Sequence, residues 1–180
     1  MVYLFLAEGF EEAEALIPVD LLRRASISVT TVGIGGKVIC GTHGIPVTAD
    51  ITDGDLSADL TDLEMIVLPG GMPGTKNLDA SPVVDAAIGL AIAKNSYIAA
   101  ICAAPMILGK RGLLRGKQAV CYPGFEKDLT GAALSVGGVA EDGRIITAKA
   151  AGYAVDFALT LIRALRGADA AKQVREAICP

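Results

Sequence analysis

At 180 residues, 52% of them hydrophobic and 20% charged, the chain has enough apolar material to form one compact domain over residues 1–180 and too little charge to stay disordered. Its formal net charge is −4 and Lys and Arg lie scattered, so no basic stripe exists to displace counterions, which argues against a nucleic-acid partner. Mean hydropathy is high at +0.51, yet every apolar run is broken by a charge, glycine or proline well before the roughly 18 residues a membrane helix needs. The sequence opens directly into Val2–Leu6 with neither a basic leader nor a small-residue cleavage site, so a cytoplasmic location and no membrane contact are expected.

In chain order, the first apolar run, Val2–Ala7, predicts a strand. A helix follows over Glu11–Arg24, interrupted near Pro18, and a second strand over Ser28–Val32. Between Gly35 and Asp55 the character changes: Val38–Cys40, a turn near Gly41–Gly44 and Ile45–Val47 read as a small β-hairpin excursion. Met65–Leu68 is a third strand. In Pro82–Lys94, Val83, Val84, Ala87, Ile88, Ala91 and Ile92 recur on one helical face, with Ser81 as N-cap and Pro82 at the first helical position. Tyr97–Ile101 is another strand, and Gln118–Cys121 and Ile145–Ala148 are expected to complete the sheet, Asp142–Gly143 turning the chain before the latter. A later helix, Tyr153–Leu165, stops at Gly167. The strand runs are continuously apolar rather than alternating, as in a parallel sheet covered on both faces. The pattern predicts a flavodoxin-like, doubly wound α/β fold with helices on both faces, whose sites lie beyond the carboxyl ends of the strands.

Cys40, Cys102, Cys121 and Cys179 are too far apart in sequence for a Cys-x-x-Cys pair, and with one histidine in the chain a zinc site is hard to assemble. An arbitrary cysteine is a small buried hydrophobe. Cys102 stands apart because an apolar strand passes through Ala99, Ala100 and Ile101 straight into Ala103, Ala104, Pro105 and a helical segment. Small neighbours are what a strained strand-to-helix turn requires, and a following helix N-terminus predicts a lowered thiol pKa.

Two further segments should reach the same edge. Pro69, Gly70, Gly71, Met72, Pro73, Gly74 follows a strand, so its glycines either let amides approach an oxyanion or simply make a tight loop. Glu11, Glu12 and Glu14 open the first helix. For Glu11 and Glu12 the expectation is a solvated helix start stabilised by the dipole, whereas Glu14 points toward the sheet edge and would have a raised pKa beside the thiol. His43 falls in the polar hairpin turn as a solvated histidine, and Tyr122 ends a strand beside the pocket or as a half-buried aromatic.

These segments, in this order and over nearly the whole chain, resemble the ThiJ/PfpI superfamily, in its branch of the parkinsonism-associated protein deglycase and glyoxalase III. The resemblance rests on Gly9, Phe10, Glu11, Glu12, Ala13, Glu14, on Ile17, Pro18, Val19, Asp20 with Arg23 and Arg24, and on Leu68–Gly71. Ala100, Ile101, Cys102, Ala103, Ala104, Pro105 and the Gly152–Leu159 helix start complete it. It implies a homodimer in which Cys102 is the nucleophile and redox-active thiol, Glu14 its hydrogen-bonded acid/base, and Gly71 and Ala103 the backbone donors. The first helix would form the interface, bringing Arg24 near the partner's site. Some members carry a histidine where this chain has Tyr122, and an arginine near His43. Gly70, Tyr122, His43 and Arg24 are the further pocket candidates. The expected activity is that of a glyoxalase III or deglycase acting on methylglyoxal, glyoxal or their adducts, with no metal and no cofactor; protease activity is not expected, since no imidazole is placed to activate the thiol. The alternative is an oxidative-stress sensor or redox-regulated chaperone working through oxidation of Cys102, and a weaker one is a nucleotide- or flavin-binding module on the same fold.

Overall fold

A computed structural model describes residues 1–179. The chain runs β1 (Val2–Leu6), α1 (Glu12–Arg24), β2 (Val29–Gly33), β3 (Val38–Cys40), β4 (Pro46–Thr48), β5 (Ile51–Thr52), β6 (Met65–Leu68), α2 (Gly74–Asp79), α3 (Pro82–Ala93), β7 (Tyr97–Ile101) and α4 (Pro105–Lys110). It continues with β8 (Gln118–Ala119), β9 (Ala133–Leu134), β10 (Val139–Asp142), β11 (Ile145–Ala148), α5 (Ala154–Arg166) and α6 (Ala168–Ile178).

The central sheet has seven strands in the order β10-β11-β7-β6-β1-β2-β5. All neighbours are parallel except the β10–β11 edge. Within it β2-β1-β6-β7-β11 is the flavodoxin-like order, and the winding reverses between β1 and β6, leaving a crevice at their carboxyl ends.

Each strand feeds two cores because its side chains alternate in direction. Leu4, Leu6, Met65, Val67, Ala99 and Ile101 pack with Ala15, Val19, Leu22, Phe157 and Leu161 of α1 and α5. Phe5, Ile66, Leu68, Ile98 and Ala100 pack on the other face with Val84, Ala87, Ile88 and Ile107 of α3 and α4. Ser81 caps α3, its hydroxyl accepting from the Val84 amide at 3.4 Å, and Pro82 starts the helix. Among the described residues no helix is long and apolar enough to cross a membrane.

Two expectations change. Pro18 does not interrupt α1, which is continuous over it; the proline is buried, and core packing offsets its missing N–H. Gln118–Cys121 does not complete the main sheet, because only Gln118 and Ala119 pair, with Ala133 and Leu134 of β9 in a separate small sheet. The edge beside β11 is taken instead by the antiparallel β10. The hairpin excursion is present as β3–β4, with Cys40 opposite Pro46.

Candidate functional site

The site forms where the chain leaves β1, β6 and β7. Cys102 directly follows β7 and has φ +65°, the left-handed region that costs a non-glycine residue about 1–2 kcal/mol. The turn is pinned on both sides: the Cys102 amide donates to the Ala148 carbonyl and the Cys102 carbonyl accepts from the Tyr122 amide, each at 2.8 Å. Ala103 and Ala104 are buried, so larger neighbours would meet the core. Gly71 (φ +89°) turns the β6 loop toward the sulfur, and the amides of Gly71 and Ala103 both favour its ionised form.

Glu14 comes from the first turn of α1 and is 1% exposed. Its carboxylate accepts from the Gly70 amide at 3.0 Å and lies beside Cys102, and the thiol and the Ala151 amide both favour its ionised form. Burial outweighs these effects and pushes Glu14 up to about 7. Burial and the Glu14 carboxylate together push the Cys102 thiol up to about 12, against the pull of the Gly71 and Ala103 amides. This reverses the expected lowering by a helix N-terminus: α4 starts three residues later and has only six residues, while the sulfur is half-buried beside a carboxylate. The two groups act as a pair that holds one proton above neutrality. When the proton sits on Glu14, the repulsion becomes an O–H donor to sulfur, and the thiolate then has three donors.

Glu11 and Glu12 are not both solvated. Glu12 is 6% exposed; its Oε1 accepts from the amides of His43 (2.9 Å) and Ile45 (3.4 Å), and its Oε2 pairs with His43 Nδ1 at 2.8 Å. Burial raises the Glu12 carboxyl, but the imidazole and the amides outweigh it and hold the group below its ordinary value. His43 is held above its ordinary value by Glu12 and then by Glu11, whose Oε1 lies 3.6 Å away. Glu11, Glu12 and His43 bring one ligand atom each within 4.8 Å of one another. The Glu12 oxygens and Nδ1 are already satisfied, which makes the group an ion-paired latch holding the β3–β4 turn on α1.

The other candidates are less central. Tyr122 touches the site through its amide, while its ring meets Phe125 edge-on at 6.5 Å and is about half exposed. Arg24 is not in this pocket: it sits in the last turn of α1, paired with Asp20 at 2.9 Å, about 15 Å along the helix from Glu14. Cys121 is buried and its thiol is pushed up to about 11 by burial; Cys40 is half-buried and Cys179 exposed. Sequence reasoning missed two features, the Ala151 donor and the role of Glu12. The first could have been suspected from the small residues Ala150, Ala151 and Gly152 ahead of a helix, since small residues allow a close approach of backbone.

The DJ-1/PfpI family matches residues 1–164. The Parkinson disease protein 7 homolog of Danio rerio is 35% identical over 175 residues, covering 94% of this chain and 92% of its own. The glutathione-independent glyoxalase DJR-1.2 of Caenorhabditis elegans is 26% identical over 174 residues, covering 96% and 91%. Among solved structures, oxidized Toxoplasma gondii DJ-1 superposes with a TM-score of 0.93 at 31% identity, covering 98% of this chain and 96% of the other.

Proposed function

The chain belongs to the DJ-1/PfpI family, and from that premise we propose that it is a glyoxalase III or deglycase-type enzyme converting small dicarbonyls such as methylglyoxal and glyoxal, or their adducts. The observation that carries this reading is the buried Glu14 carboxylate set beside Cys102, both packed against the bare backbone of Gly70, with the Gly71 and Ala103 amides favouring the thiolate. The name of the C. elegans relative supports it.

A carboxyl held up to about 7 is well matched to proton transfer at neutral pH. Glu14 takes the thiol proton as Sγ adds to the aldehyde carbon, and returns it to the new alkoxide, giving a hemithioacetal. As carboxylate again, it removes the hydrogen on that first carbon to give an enediolate and delivers that proton to the second carbon, while the hydroxyl proton of the first carbon passes to the oxygen of the second. The product is a thioester of a 2-hydroxy acid, oxidised at the first carbon and reduced at the second. Water cleaves it, releasing the acid and restoring the thiol. The chemistry uses the two side chains alone. Lactate formation from methylglyoxal by wild type, Cys102→Ala and Glu14→Gln tests it; unchanged turnover in either variant refutes it.

A second reading, redox sensing or a redox-regulated chaperone through Cys102, has its own support. The same donors would hold a sulfinate, and a relative has been solved in a form described as oxidized. A homodimer through α1 is part of either proposal, supported by Leu16, which is exposed on that helix. It would bring Arg24 to the partner's site, and sedimentation of the purified protein tests it.

A further inference from the structure

Glu11 is tied to the site on both sides. Its amide donates to the Gly70 carbonyl at 2.9 Å, and Gly70 in turn donates to Glu14 Oε2 at 3.0 Å. Glu11 and Glu14 are three positions apart at a helix start, a spacing that puts side chains side by side. Glu11 is therefore a like charge beside the carboxyl assigned the proton transfers, and it disfavours ionisation of Glu14. Across from it stands His43, Nδ1 3.6 Å from Glu11 and 2.8 Å from Glu12.

We propose that His43 is a positioning residue that sets how readily Glu14 gives up its proton, acting through Glu11. When the imidazole is protonated, it offsets the Glu11 charge and Glu14 ionises more easily. When it is neutral, the Glu11 field acts in full and Glu14 keeps its proton to higher pH. The charged and titratable groups around this path are few. Cys102 and the amides of Gly70 and Ala151 face Glu14. Glu11 and Glu12 face His43, and Glu8 binds the hairpin at the Cys40 amide. The hairpin itself does not depend on the ring, because Glu12 holds the amides of His43 and Ile45. A loss of imidazole charge can thus be separated from a loss of structure.

This inference rests on the proposed role of Glu14, and its test reads the Cys102–Glu14 pair without requiring turnover. The rate of Cys102 alkylation by iodoacetamide is followed against pH in wild type, Glu11→Gln, His43→Gln, His43→Arg and the Glu11→Gln/His43→Gln double variant, with lactate formation measured in parallel. The midpoint of the first rise reports the proton the pair loses near pH 7. Glu11→Gln is expected to move it down by about half a pH unit or more, His43→Gln up, and His43→Arg down. In the double variant the His43 shift should shrink, since only the direct field of the imidazole remains. Midpoints that coincide with wild type overturn the proposal, as does a His43→Gln shift equally large without Glu11. A purely structural role would change the amplitude and leave the midpoint in place, and that result also overturns it. Absence of lactate in every protein, wild type included, would count against the glyoxalase reading, while the midpoints would still decide this one.

Discussion

Gly70 holds Glu14 by its amide, 3.0 Å from Oε2, at a position with no room for a side chain. A Cβ there would stand 2.5 Å from Glu14 Oε2 and 2.6 Å from the Cys102 Cβ. The close approach of carboxylate and thiol is therefore set by the bare backbone between them.

Gly70→Ala should push the pair apart while leaving the sheet intact, because the added methyl meets the two functional side chains as well as the Ile101 carbonyl. A displacement of about 1 Å in a reacting group can cost on the order of 100-fold in rate. The expected outcome is a loss of that order in dicarbonyl turnover with an unchanged far-ultraviolet circular dichroism spectrum. Turnover within twofold of wild type would show that the pair does not need this spacing.

Keeping Glu14 buried has a cost that depends on pH. Its folded-state pKa is raised from 4.5 to about 7, so between those values the folded chain binds more protons than the unfolded one, and stability falls as pH rises through the window. The full shift corresponds to about 3 kcal/mol at most. Glu14→Gln keeps an oxygen for the Gly70 and Ala151 amides and removes the charge. In urea denaturation the variant should be more stable than wild type at pH 8, with the gain shrinking toward zero by pH 4. Equal differences at both pH values would mean that Glu14 is not the group being titrated.

Much of this arrangement could be read from the residues themselves. The apolar runs at Val2, Met65 and Tyr97 each lead straight into an unusual loop, and a parallel sheet delivers such loops to one edge. Glu14, Gly71, Cys102 and Ala103 are brought together there. What local patterns could not carry was partnership over long separations. Glu12 looked like any acid at a helix start, and only the fold brings it to the amides of a turn 31 residues away. Gln118–Cys121 had the composition of a sheet strand, but β10 and β11 had already formed that edge. The thiol's electrostatics were misjudged for a related reason: the helix start is visible in sequence, whereas burial and the facing carboxylate, the larger effects, are not.

Peroxide separates the two functional readings. Oxidation needs a thiolate and access, and the Glu14 proton can make Cys102 a thiolate with Gly71 and Ala103 as further donors. Two equivalents of peroxide, each leaving as water, convert it to sulfinate. After mild treatment, mass spectrometry of peptides should find two added oxygens at Cys102 before Cys40 or the buried Cys121. Cys179 is exposed but lacks this set of donors and should follow more slowly. First oxidation at Cys179 would remove the special standing of Cys102 as a sensor.

Glu12 should matter for the hairpin rather than for the chemistry. Its carboxylate binds His43 twice and Ile45 once, and Gly41 leaves the space it occupies. Because its folded-state pKa is depressed, its contribution is present above the ordinary carboxylate pKa and is lost as pH falls through the depressed value. Glu12→Gln retains one acceptor and gives up the charge-assisted bonds, which are stronger than neutral ones. Destabilisation of about 1–3 kcal/mol is expected at pH 7, declining in acid. Hydrogen exchange should speed up at the His43 and Ile45 amides in particular, with the β1 and β6 amides changing far less. If exchange rises equally across the central sheet, the Glu12 contacts hold the whole fold and not a local latch.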